Sequence, residues 1–237
     1  MILTEEQLKE RKDKAHKEEI RQNVKSHCSK IRDGIRANGS TSGERAIWEL
    51  FQNARDLSDS AEIKMTLTDK EFIFAHKGKA FTYDSLCSLV KQVSSHEKED
   101  NNSVGQYGTG FLTTHKFSRK ITINGSMLIS EEPKVYVDVT SFEINRENFN
   151  DIPKFIDDMT DQIESVEKLM DTEQKSTPKD WTELHYKLNE ERHNIADKAI
   201  EEAIRMMPYV LTFNDNVSRC TICYKEQVIE FKKEDKA

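Results

Sequence analysis

Three polar residues at helical spacing carry the first chemistry this chain suggests. Glu49, Asn53 and Asp56 stand in E-R-A-I-W-E-L-F-Q-N-A-R-D, residues 44–56. Their i, i+4, i+7 spacing puts them on one helix face. Glu49 offers a carboxylate that could take a proton from water. Asn53 offers an amide oxygen that could ligate a hard cation such as Mg²⁺. Asp56 adds a second acid close by. A later stretch, G-Q-Y-G-T-G-F at 105–111, is rich in glycine and precedes a helix-like run. Gly105, Gly108 and Gly110 permit close approach and unusual φ values. The backbone N–H groups from Gln106 through Tyr107 and Thr109 to Phe111 could then reach phosphate oxygens.

The elements that must position these residues are legible from periodicity. Ile47, Leu50, Phe51, Ala54 and Leu57 give the 44–56 helix its apolar side. Before it, residues 4–38 predict a long helix, opened by the capping-box pattern T-E-E-Q at Thr4–Gln7. Its stripe is Ile20, Val24, Cys28, Ile31 and Ile35. Its first half is mostly charge and suits projection into solvent; the helix reads either as packed on the domain or as an arm that reaches a partner protomer. After the motif helix, Ile63, Met65 and Leu67, then Phe72 and Phe74 across Thr68-Asp69-Lys70, predict a hairpin. It leads into His76-Lys77-Gly78-Lys79-Ala80-Phe81, where a neutral imidazole offers one donor and one acceptor.

Farther on, Thr82–Val93 predicts a helix and Ser94–Ser103 a polar loop. Strands follow at Lys120–Asn124 and Val135–Phe142, with a helix over 149–171. Asp171–Asp180 is a polar linker, and Trp181–Leu188 alternates as a strand. Glu190–Met206 predicts a helix; Tyr209–Phe213, Cys220–Tyr224 and Val228–Phe231 predict strands. Cys220 and Cys223 form one C-x-x-C with no second pair. Zinc needs about four ligands, so these read as strand cysteines.

Composition bounds the function. The 237 residues make one medium domain, or one domain plus an appendage, with 35% hydrophobic and 33% charged residues. A net charge of −7 argues against a general grip on nucleic-acid backbone, though a local basic patch stays open. No apolar run spans a membrane, and M-I-L-T-E-E-Q is no signal peptide. A cytoplasmic protein with reduced cysteines is expected.

E-L-F-Q-N-A-R-D followed by V-G-Q-Y-G-T-G-F resembles the GHKL (Bergerat-fold) ATPases, over roughly residues 20 to 190. Within them it is most similar to the ninety-kilodalton heat-shock chaperones and the sacsin-like proteins. The resemblance implies an α+β two-layer sandwich, a mixed and mainly antiparallel sheet with helices on one face. It implies ATP and Mg²⁺ as ligands, with Asn53 holding the metal, Glu49 activating water, and the 105–111 loop cradling phosphates. Asp56, His76, Gly78, Phe81 and Thr182 would line the base and ribose. Ser95 and Lys98, in the lid segment, would reach phosphates. His76 stands where most of the family has Asp in D-x-G-x-G, and Ala80 replaces its second glycine. The sacsin-like branch, with H-x-G and a following aromatic, is nearer. Trp181 replaces the glycine that usually precedes Thr182.

The resemblance further implies an N-terminal helical arm over 1–40 and an ATPase domain over 41–206 with a helical insertion at about 149–180. The start of a transducer-like segment would occupy 207–237. A chaperone-like ATPase is expected, turning ATP into ADP and phosphate, slowly without a full transducer. It would dimerise with nucleotide bound and act on a client or a downstream effector domain. Alternatives are the ATPase part of a nucleic-acid-processing or anti-phage defence assembly, a nucleotide switch with little hydrolysis, a sensor kinase, and a helical scaffold.

Overall fold

A computed structural model of the protein describes residues 4–40, 42–58, 60–92 and 109–233. In chain order these form α1 (Glu5–Ala37), α2 (Gly43–Asp56), β1 (Ala61–Leu67), β2 (Glu71–His76), β3 (Phe81–Thr82) and α3 (Tyr83–Lys91). A 3₁₀ helix at Thr109–Lys116 follows. Then come β4 (Lys120–Glu131), β5 (Lys134–Asn145), α4 (Ile152–Leu169), β6 (Gln174–Lys175), β7 (Thr182–Lys187), α5 (Glu190–Phe213), β8 (Val217–Tyr224) and β9 (Gln227–Lys232).

The fold is α+β, with one open sheet under a layer of helices. Its strands run in the order β6-β5-β4-β7-β2-β1-β8-β9, and β3 also pairs with β4. The β1–β8 and β3–β4 pairs are parallel and the others antiparallel. Burial alternates along β1 and β7, as a sheet packed on one face requires. Rows of buried residues cross the strands under the helices. One row is Leu67, Phe72, Tyr186 and Ile121; the next is Met65, Phe74, Leu184 and Ile123. The third begins at Ile63 and then turns polar at His76 and Thr182. Phe117 locks the first row, its ring 4.9 Å from Phe72 and 5.6 Å from Tyr186.

α1 starts at its capping box. Thr4 Oγ1 accepts from the Gln7 N–H at 3.2 Å, and Gln7 Oε1 accepts from the Thr4 N–H at 3.1 Å. Ile20, Val24, Cys28, Ile31 and Ile35 are all buried, while residues 4–19 are exposed. Each such apolar side chain contributes roughly 1.5–3 kcal/mol by the area it removes from water. Charge pairs lace α1 to α4: Lys17 to Asp161 at 2.7 Å and Glu164 at 3.1 Å, His16 to Glu167 at 2.9 Å, and Arg21 to Asp157.

Two expectations need correction. Tyr209–Phe213 is not a strand but the last turns of α5, which passes through Pro208. Proline forfeits one helical N–H, but Met207 and Leu211 stay buried one turn apart. The Thr212 hydroxyl donates to the Pro208 carbonyl at 2.7 Å, and the Asn214 N–H closes the helix on Val210 O at 2.9 Å. The described part of the run after the glycine-rich loop is a 3₁₀ helix. Thr113 and Thr114 hydroxyls donate to the carbonyls of Gly110 and Phe111, both at 2.8 Å, three residues back.

The 206/207 division therefore falls inside α5, and β8 and β9 continue the same sheet. The segment 149–180 supplies α4, whose Phe155, Met159, Ile163 and Val166 enter the common core. It also supplies β6, which pairs with β5. Among the described residues, no helix is long and apolar enough to cross a membrane.

Candidate functional site

α2 is seated by its apolar side. Ala46, Ile47, Leu50, Phe51 and Ala54 are buried, and the Phe51 ring meets Phe74 of β2 edge-on at 5.6 Å. That seating fixes where Glu49, Asn53 and Asp56 point, since they lie on an adjoining face of the same helix.

At the N-terminal end of this strip, Glu49 meets the 3₁₀ helix. A Cβ built on Gly110 would collide with the Glu49 carboxylate, reaching its Cδ at 2.7 Å. The acid and the end of the glycine-rich loop are thus brought into contact, and a side chain at position 110 would have to displace the carboxylate. Exposed Arg45, one turn before Glu49, lies 3.8 Å away through its Nε.

One turn on, Asn53 is only 4% exposed, and neither Nδ2 nor Oδ1 meets a hydrogen-bond partner among the described residues. Asp56 Oδ1 accepts from the adjacent Arg55 at 2.9 and 2.8 Å, whereas its Oδ2 is buried and likewise unpartnered. The helix then ends against the turn after β2. The Leu57 carbonyl accepts from the Lys79 N–H at 3.0 Å. A Cβ on Gly78 would lie 3.1 Å from that carbonyl and 3.3 Å from His76 Nδ1.

His76 itself is 2% exposed, and its Nδ1 meets no hydrogen-bond partner among the described residues. Burial pushes its imidazole down to about 4, against a weaker opposing effect from the Lys77 backbone. It is therefore neutral at pH 7. Thr182 is its register partner on β7 and is also buried, at 7% exposure. Directly opposed residues on antiparallel strands share a face, so His76 and Thr182 form one polar floor. Gly125 of β4 leaves room beside it: a Cβ there would stand 3.2 Å from Thr182 Oγ1. Phe81 is buried in β3, in register with Met127 of β4.

The structure thus brings Glu49 to Gly110, Leu57 beside Asp56 to Gly78, and His76 to Thr182. Phe111 is buried in the core just behind Gly110. Ser95, Lys98, Gly105, Gln106, Tyr107 and Gly108 lie outside the described residues, as does the side chain of Thr109. Two contributors were missed in the sequence. Arg45 had a signal in its i, i+4 spacing to Glu49. Gly125 had one as a lone glycine within a strand, a mark of close approach.

An orphaned buried polar atom costs about 1–3 kcal/mol, and native proteins keep few. Four fall together here, on Asn53, Asp56 and His76. A cleft of about 590 Å³ lies elsewhere, under the β8–β9 turn, lined by Leu67, His193, Tyr224 and Val228. It gathers none of these orphaned groups, so polar convergence and not volume marks the candidate site. Asn53 Oδ1 suits Mg²⁺, which commonly takes one or two protein oxygens and completes its shell with phosphates and water. No cluster of His, Cys, Asp or Glu among the described residues could hold a metal without such help. Cys28, Cys87, Cys220 and Cys223 are free thiols, and burial raises Cys220 to about 12, which suits a core strand residue and not a ligand.

Comparison with known proteins finds no matching family model and no similar curated protein.

Proposed function

We propose that this chain is a Mg²⁺-dependent ATP-binding and ATP-hydrolysing module of chaperone-like type, driving a nucleotide-gated cycle of conformational change and dimerisation within a larger protein. One observation carries the reading. Buried, unpartnered polar atoms of Asn53, Asp56 and His76 converge where helix α2 ends over the sheet, in line with Glu49 and Gly110. These are the positions at which the GHKL resemblance expects metal, base and phosphates.

Bound Mg²⁺ supplies charge neutralisation on the phosphate oxygens. The protein's own groups do the rest. Asn53 Oδ1 offers the metal its protein oxygen. Glu49 orients water and accepts its proton, and its contact with Gly110 keeps the carboxylate at the end of the phosphate-binding loop. On the base side, Asp56 Oδ2 accepts and neutral His76 offers one acceptor and one donor. Thr182 adds a hydroxyl to the floor.

Glu49→Ala should keep ATP binding and lower turnover by about 10²- to 10⁴-fold. Loss of binding in that variant, or unchanged turnover, would contradict the role of Glu49. A switch with little hydrolysis is favoured by the Arg45–Glu49 pair at 3.8 Å, which gives the acid a charged partner other than water. Tight binding by the wild type with no turnover for Glu49→Ala to remove would select that second reading.

A further inference from the structure

We propose that Ser118, Arg119 and Arg192 form a second site, at the opposite end of the sheet, for a small dianionic oxyanion of the phosphate class. Arg119 directly precedes β4, and Arg192 stands in the first turn of α5, whose Asn189 cap accepts from the Arg192 N–H at 2.9 Å. Arg192 Nη1 donates to Ser118 Oγ at 3.5 Å, a long contact. The Arg119 guanidinium lies over the Phe149 ring, 5.1 Å from its centroid. Both arginines are half-buried, and Ser118 is buried. The β4–β7 register sets Ile121 opposite Tyr186, four residues from Thr182. The two sites are therefore separated by roughly 13 Å of strand or more.

The charges here lack their usual complement. The groups that depress Arg119 are burial and the neighbouring Arg192, both in the same direction, with no carboxylate among the causes. Beneath them, fully buried His115 is held neutral by burial and by three cations, Arg146, Arg119 and Arg192. The acids nearest in sequence are otherwise placed. Glu143 pairs with Lys120 at 2.7 Å, and exposed Glu147, Glu190 and Glu191 form no ion pair with either arginine among the described residues. Two neighbouring guanidiniums without a carboxylate repel each other. Such a spot is costly unless an anion bridges it. Guanidiniums bind phosphate-type oxygens through parallel N–H donors, and a helix N-terminus adds favourable dipole charge.

The test is thermal unfolding in inorganic phosphate against sodium chloride at matched ionic strength. Phosphate should raise the Tm of the wild type and of Asn53→Ala, which keeps this site intact. In Arg119→Gln/Arg192→Gln the apparent phosphate affinity should fall by about tenfold or more. In chloride alone, Arg192→Gln should melt at or above the wild type, because removing one charge relieves repulsion. If the double variant does not fold, Arg192→Gln alone carries the affinity comparison. Equal shifts in phosphate and chloride would overturn the proposal. So would an undiminished phosphate response in the arginine variants, or loss of that response in Asn53→Ala, which would place the anion at the first site.

Discussion

At Asn53 a buried amide keeps donor and acceptor capacity that no described neighbour uses. On the proposed function its value is in ligand binding and not in folding. Asn53→Ala should leave the ligand-free protein as stable as the wild type or up to about 1 kcal/mol more stable, since an unsatisfied buried group is removed. The same variant should weaken binding of Mg²⁺ with ATP by at least about tenfold. Urea unfolding and calorimetry on one sample check both. His76 sets a pH dependence. Its folded pKa, about 4, lies below the ordinary imidazole value of 6.5. Stability is then fully present above the unfolded value and is lost as pH falls from about 6.5 through 4, by about 3 kcal/mol in all. Buried His115 shifts in the same direction. His76→Gln should flatten that acid limb in denaturant titrations at several pH values, and an unchanged limb would show that His76 does not titrate on unfolding.

Between elements, the closest dependence is that of α2 on the 3₁₀ helix at Gly110. Gly110→Ala should displace the Glu49 carboxylate, which is the movable end of the contact. Turnover should drop by about tenfold or more while the far-ultraviolet spectrum and melting point stay near wild type. A collapse of the fold would mean that backbone, and not the side chain, yields. A second dependence ties α1 to α4. The Glu167 hydrogen bond and charge raise His16 above its ordinary value. That stabilisation is present below the unfolded pKa and fades as pH rises through the raised one. Amide exchange in the first half of α1, corrected for intrinsic rates, should therefore quicken on going from about pH 6 to about pH 8.5, and His16→Ala should remove the difference. The sequence showed α1 clearly, because five apolar residues repeat at helical spacing with a capping box at the start. It hid the end of α5, because Tyr209–Phe213 is rich in strand-forming residues while tertiary burial of Met207 and Leu211 keeps it helical. The parallel pairing of β8 with β1 left no local trace, since it joins residues 61–66 to 217–223 across most of the chain.

Across the whole molecule, the helix layer and the sheet close on apolar rows until the third, where His76 and Thr182 replace aliphatic residues. That switch was visible only in part from sequence. Helical spacing put Glu49, Asn53 and Asp56 together, and the glycine-rich stretch suggested phosphate. Setting His76 beside Thr182, with Gly125 next to the floor, needed strand register between segments far apart in the chain. The buried Arg146, bonded to Gln162 at 3.2 Å and to the Val90 carbonyl, had no sequence signal, because an arginine ordinarily reads as surface. The polar floor is where a ligand should add most to stability, by linking helix α2 to the sheet.

The most direct test of the proposed nucleotide site is thermal stabilisation by ATP, ADP and GTP, with and without Mg²⁺, on the wild type and Asn53→Ala. Ligand at about 100 times Kd stabilises a fold by about 2.7 kcal/mol, a readily measured shift. The expected result is stabilisation by adenine nucleotides that needs Mg²⁺ and shrinks in Asn53→Ala. A folded wild-type protein whose melting point no nucleotide moves would contradict the assignment of these residues to ATP.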